Sequence, residues 1–147
     1  MRFPLAFVLA LTAMPAFAGP ASDAVKFFYA DPGAEFEPAN RDRFTDPAKS
    51  VLDANEKAED KAELCIDFVL SINAQDYEQS EIDKTLKLNE EIFGEDATVT
   101  AYFTLFPGQA DSEEIVIWTL KNVGGEWKVA DLMSDGSNWV LSEFKCQ

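Results

Sequence analysis

No histidine occurs anywhere in the 147 residues. That absence removes the usual general base of serine and cysteine hydrolases and the commonest nitrogen ligand for zinc. Cysteine is nearly as scarce: Cys65 and Cys146 are the only two, without the CxxC spacing of a redox or metal-binding thiol pair. Positive charge is thin, with 12 Lys and Arg against 27 Asp and Glu and a formal net charge of −15. Such a chain repels a phosphate backbone, so nucleic acid is not an expected partner. There is no G-x-S-x-G elbow and no glycine-rich phosphate loop. Long apolar runs are missing too; the stretch from Leu5 to Ala13 is about half of the roughly 20 residues that cross a bilayer, so stable membrane anchoring is not expected.

What the chain does carry at its start is the pattern of an export leader. Met1-Arg2 supplies the positive end, the apolar stretch follows, and Pro15-Ala16-Phe17-Ala18 ends in the small-x-small motif that signal peptidase requires. Residues 1–18 are read as a cleavable signal peptide and residues 19–147 as one domain, delivered to a periplasm or outside the cell. Of the basic residues only Arg2 leaves with the leader, while every acidic residue stays. The acidity does not imply disorder, because 47% of residues are hydrophobic, with 12 Phe and 3 Trp to bury. In an oxidising compartment two thiols with no third to compete form one disulfide, Cys65–Cys146.

The domain reads as helices first and strands after. Pro20, Ser22 and Asp23 offer a helix start, and Val25, Phe28 and Tyr29 share one face before Pro32-Gly33 stops the run. Asp46-Pro47 reads as an N-cap and first helical position for a second helix over Ala48 to Ala62, with Val51, Leu52 and Ala58 inward and Asp53 spaced to pair with Lys57. The segment Ala34–Thr45 is a connector or a short extra helix. From residue 83 the period becomes two: Leu86, Leu88 and Ile92 alternate with polar residues, as do Val99, Ala101, Phe103 and Leu105. Ile115–Leu120 makes a third strand and Trp127, Val129 and Leu132 mark a fourth. Turns fall at Gly94, Pro107-Gly108 and Gly124-Gly125. The tail from Ser137 to Phe144 is a closing strand or a short helix. The expected fold is α+β, with N-terminal helices packed on a curved antiparallel meander sheet, a cone-like, cystatin-like roll.

Val25-Lys26-Phe27-Phe28-Tyr29, Asn73-Ala74-Gln75-Asp76-Tyr77, and Ile117-Trp118-Thr119-Leu120 followed by Gly125 to Leu132 resemble exported bacterial domains of unknown function within the nuclear-transport-factor-like, or cystatin-like, superfamily. The resemblance spans most of residues 19–147. It implies a pocket between sheet and helices but no single activity, since that superfamily holds isomerases, dehydratases, transport adaptors and toxin-neutralising proteins.

In the enzymes of that fold a carboxylate or a tyrosine hydroxyl works in an apolar cavity. Asp67, Asp76, Tyr77, Tyr102 and Asp131 are the candidates here, with Asp76 as base and Tyr77 as donor the first pair to test. The competing reading gives Gln75 and Asp76 structural hydrogen bonds to backbone. Gln75, Tyr102 and Trp139 are candidate binding residues, whereas Trp118 and Trp127 read as core. Asp131 to Gly136 only loosely follows a calcium loop, with Met133 and Ser142 where oxygen-rich ligands are required. No metal and no cofactor is expected. The favoured function is a non-catalytic exported binding module whose acidic surface takes a cationic protein, with toxin neutralisation as one form of that role. The alternative is a small-molecule enzyme of the isomerase or dehydratase type, using Asp76 and Tyr77 on a small apolar ligand. A homodimer is compatible with either.

Overall fold

A computed structural model describes residues 20–63 and 65–146; the expected leader, residues 1–18, lies outside the described part. Helix α1 (Pro20–Ala30) buries Val25, Phe28 and Tyr29 on one face, as their spacing requires. A 3-10 helix over Pro38–Arg43 fills the connector. Helix α2 (Ala48–Asp60) follows, and a short helix α3 (Gln79–Thr85) precedes the sheet. The strands β1 (Lys87–Phe93), β2 (Asp96–Thr104), β3 (Glu113–Val123), β4 (Glu126–Ser134) and β5 (Trp139–Val140) pair in chain order, each antiparallel to the next. The architecture is therefore the expected α+β meander, with an open sheet. No helix among the described residues is long and apolar enough to cross a membrane.

The pleat decides which face is covered. Val99 and Ala101 of β2, Val116, Trp118 and Leu120 of β3, and Val129 and Leu132 of β4 are buried beneath the helices. Phe28 stacks on Trp118 with ring centroids 5.2 Å apart, and Tyr29 meets Phe103 edge to face at 5.3 Å. Such pairs add about 0.5–1.5 kcal/mol each beyond simple burial. Large rings thus occupy the region between sheet and helices. At the sheet's far edge Thr45 N–H donates to the Val129 carbonyl at 2.8 Å, which lays the connector along β4.

Several local expectations are corrected. Asp46 does not cap from the N-cap position: its Oδ1 accepts from Ser50 N–H at 3.2 Å and Ser50 Oγ–H at 2.6 Å, with the Asp46-Pro47 peptide cis. Asp53 pairs not with Lys57 but with Lys49, at 3.0 Å, and with the buried Arg41, at 3.0 Å. Arg41 reaches Asp53 from a different element, and that stronger, less exposed partner sets where the carboxylate turns. Val51 is half-buried where Leu52 and Ala58 are fully buried. Helix α3 has no expected counterpart; no side chain caps it, and tertiary packing of the buried Ile82 holds it. The tail is both things that were expected of it, a two-residue strand and then a 3-10 turn over Leu141–Glu143.

Candidate functional site

One end of the sheet is built by three connections: the loop between α2 and α3, the β2–β3 crossing and the β4–β5 turn. Glu78 N–H donates to the Leu105 carbonyl at 2.9 Å and so joins the first to the second. Asn73 joins the first to both of the others. Its side-chain Nδ2 lies 2.7 Å from Glu114 Oε2, 2.9 Å from Ser137 Oγ and 3.0 Å from Ser134 Oγ, and its Oδ1 accepts the indole N–H of Trp139 at 2.7 Å. Asn73 holds φ at 58°, a left-handed conformation that asparagine tolerates better than most side chains. The sequence offered that signal, an Asn between apolar residues, but its four partners are remote in the chain.

A second strut fixes the same loop from beneath. Glu35 is fully buried, and its carboxylate accepts from Ser71 N–H at 2.9 Å, Ser71 Oγ–H at 3.1 Å and Gly33 N–H at 3.0 Å. Burial pushes its carboxyl above the usual range, and the Ser71 and Gly33 donors oppose that push only in part. Tyr29 accepts the Trp118 indole N–H at 3.1 Å; burial drives its hydroxyl far above an ordinary phenol, with the Glu35 charge adding to the effect. Nothing in the local sequence marks Glu35, since its partner Ser71 lies 36 residues away.

Held this way, the loop end carries Asp67, Asp76, Glu78, Asp111, Glu113, Glu114 and Asp135, and no Lys or Arg lies within its three segments, residues 65–78, 105–114 and 134–138. All but Glu114 are exposed. Glu114 is half-buried, and burial raises its carboxyl while the Asn73 hydrogen bond pulls the other way. No cation approaches Glu114 within ion-pair distance among the described residues. The three segments form a hydrogen-bond-braced surface rich in negative charge, flanked by Lys84 and Lys87 beside Glu113 and Glu114, and suited to attract and orient positive charge.

The expected site residues are scattered around it. Asp76 is exposed, Tyr77 is half-buried against the core, and no hydrogen bond joins them to each other. Gln75 donates from Nε2 to the Asp67 carbonyl at 2.8 Å, the structural role weighed against function above. Trp139 is half-buried, packed on Phe68 at 5.3 Å and Phe144 at 6.2 Å. Asp131 spends Oδ1 on the backbone N–H groups of Leu132 and Ser142, each at 3.0 Å, and so anchors the tail. Tyr102 stands on the open face of the sheet, 43% exposed. It lines an open hollow of about 570 Å³ with Lys84, Lys87, Glu113 and Ile115. Two further hollows, of about 470 and 450 Å³, lie by Arg43 and by Cys146. None of the three is lined by Asp76, Tyr77, Tyr29 or Glu35. Cys65 and Cys146 form the expected disulfide, with Cα atoms 5.4 Å apart.

No protein-family model matches the sequence, and no curated protein matches it significantly. Solved structures do resemble the fold. One is a chain of the type VI native effector–immunity complex Tae3–Tai3 from Ralstonia pickettii, at 19% identity and a TM-score of 0.55, covering 82% of this chain and 98% of that one. Another is a chain of the selenomethionine form of that complex, at 20% identity and a TM-score of 0.54, covering 82% of this chain and 100% of that one. At this identity the likeness shows a shared fold.

Proposed function

We propose that this chain is a non-catalytic, exported binding module that captures a cationic protein at its carboxylate-lined loop end and neutralises it, as an immunity protein does an effector. The observation that carries the reading is the loop end itself: seven carboxylates in three segments without a basic residue, braced by Asn73 and Glu35. A surface whose loops are already fixed loses little conformational entropy when a partner docks. The fold likeness to a chain of an effector–immunity complex supports a protein partner. The disulfide fits the oxidising compartment that the leader pattern implies. We also propose that the chain is a member of the nuclear-transport-factor-like superfamily, a reading supported by helices laid over one face of an antiparallel meander.

The test is capture from envelope extract by the oxidised protein, with elution along a salt gradient. A basic protein released by moderate salt, and no longer captured when Asp111, Glu113 and Asp135 are all changed to Lys, is the expected result. Capture that ignores those three reversals and is lost with Asp76→Asn or Tyr77→Phe would overturn it and favour the enzyme alternative.

A further inference from the structure

Strand β1 forms one edge of the sheet, and among the described residues nothing pairs with its outer side. Its hairpin to β2 closes at Phe93 and Asp96 around Gly94-Glu95, with Gly94 at φ 62°. The pair that closes a two-residue hairpin is hydrogen-bonded, and the alternation then assigns the backbone groups of Lys87, Asn89 and Glu91 to β2. Those of Leu88, Glu90 and Ile92 face away from the sheet. An edge of seven residues with no proline and no bulge, ending in Ile92 at 45% and Phe93 at 70% exposure, is guarded only by the charges of Lys87, Glu90 and Glu91, which a partner of complementary charge pattern neutralises.

We propose that this edge pairs with the β1 edge of a second copy, antiparallel about Asn89, joining two meanders into one continuous sheet. The side chains select the partner and the register. Centred on Asn89, a two-fold pairing sets Lys87 opposite the second copy's Glu91, and Glu91 opposite its Lys87. It also brings Ile92 against the second copy's Leu86 on the helix-covered face. Neither Lys87 nor Glu91 has an ion pair of its own among the described residues, so both are available. Moving the centre to Glu90 puts two Glu90 side chains opposite each other, moving it to Glu91 does the same with Glu91, and moving it to Leu88 sets Lys87 opposite Asn89 and forfeits both ion pairs. Like charges directly opposed destabilise a strand pair by about as much as opposite charges stabilise it. The intermediate shifts, by a single residue of either strand, mismatch the outward N–H and C=O groups. The contact is made by strand β1 and not by the three loop segments, although Lys87 borders Glu113 and Glu114 in one hollow, and its test needs no partner, so it does not depend on the function proposed above.

Sedimentation of the oxidised protein tests this without any partner. A monomer–dimer equilibrium is expected. Lys87→Glu alone or Glu91→Lys alone turns two attractions into two repulsions and should weaken association by about 30-fold. An equimolar mixture of the two variants restores both ion pairs and should recover the dimer as a heterodimer. Both residues are exposed, and unchanged near-ultraviolet circular dichroism verifies that the variants fold. Three results would each overturn the proposal. One is a protein that stays monomeric up to about 1 mM, the concentration a contact worth about 4 kcal/mol requires. Another is a dimer indifferent to either reversal. The last is amide exchange at Leu88, Glu90 and Ile92 that slows only when a cationic partner is added, which would assign the edge to that partner.

Discussion

The indole N–H of Trp139 donates to Oδ1 of Asn73 across 2.7 Å, so this half-buried tryptophan tethers the tail to the loop between α2 and α3. Through it the tail strand holds the loop that carries Asp76. Trp139→Phe keeps the packing on Phe68 and Phe144 but leaves the Asn73 oxygen unpartnered, an expected loss of about 1–2 kcal/mol in urea unfolding. Asn73→Ala should cost about 3 kcal/mol, because it removes the amide and also places a Cβ at positive φ. Asn73→Gly should recover about 1 kcal/mol of that difference, the backbone share alone. Equal losses for Ala and Gly would mean that the left-handed conformation carries no cost here.

The disulfide closes a loop with a sequence separation of 81. Replacing both Cys65 and Cys146 by Ser should lower stability by about 4 kcal/mol on the loop-entropy account. Urea unfolding of the wild-type protein with and without reductant checks the figure independently of any packing change from serine. A reduced protein as stable as the oxidised one would show that the burial of the tail, not the crosslink, holds Leu141 and Phe144 in place.

What the sequence made legible and what it did not divides along chain distance. Strands β2, β3 and β4 were readable because alternation is a local signal: Val99, Ala101 and Phe103 declare their buried face within five residues. The disulfide was readable by counting. Glu35 was not, because a glutamate in a turn carries no mark of burial until Ser71 closes over it. Helix α3 was missed for the same reason, its only fully buried apolar residue, Ile82, lying among polar residues with ordinary helix propensity. The carboxylates of the loop end were visible singly in the sequence; their convergence needed the bond from Asn73 to Glu114 and that from Glu78 to Leu105.

Glu35 makes stability depend on pH in an unusual direction. Its folded carboxyl lies above its unfolded value near 4.3, so the folded state holds the proton more tightly than the unfolded chain does. Its contribution is therefore largest below the unfolded value and shrinks as pH climbs toward the raised folded one. Glu114, raised by burial, acts in the same sense. Thermal midpoints should rise as pH falls from about 7 to about 5, and Glu35→Gln should flatten that slope relative to wild type. Because the variant keeps every surface carboxylate, the difference between the two slopes isolates Glu35 from general charge repulsion. Parallel slopes would place the pH dependence on the surface instead.

Electrostatic capture has a kinetic signature that separates it from a merely sticky acidic surface. With a purified cationic partner in hand, changing Asp111, Glu113 and Asp135 to Lys alters the field seen at a distance more than the contacts made on docking. The association rate should fall by at least about tenfold at low ionic strength, with a much smaller change in dissociation. The gap should narrow toward the point where the screening length drops below about 10 Å. Asp76→Asn removes one charge of the same field and should shift association slightly, and Tyr77→Phe should leave it unchanged, since the ring is half-buried against the core. If Tyr77→Phe slows association as much as the triple reversal does, the phenol is in the interface and the negative field is incidental to binding.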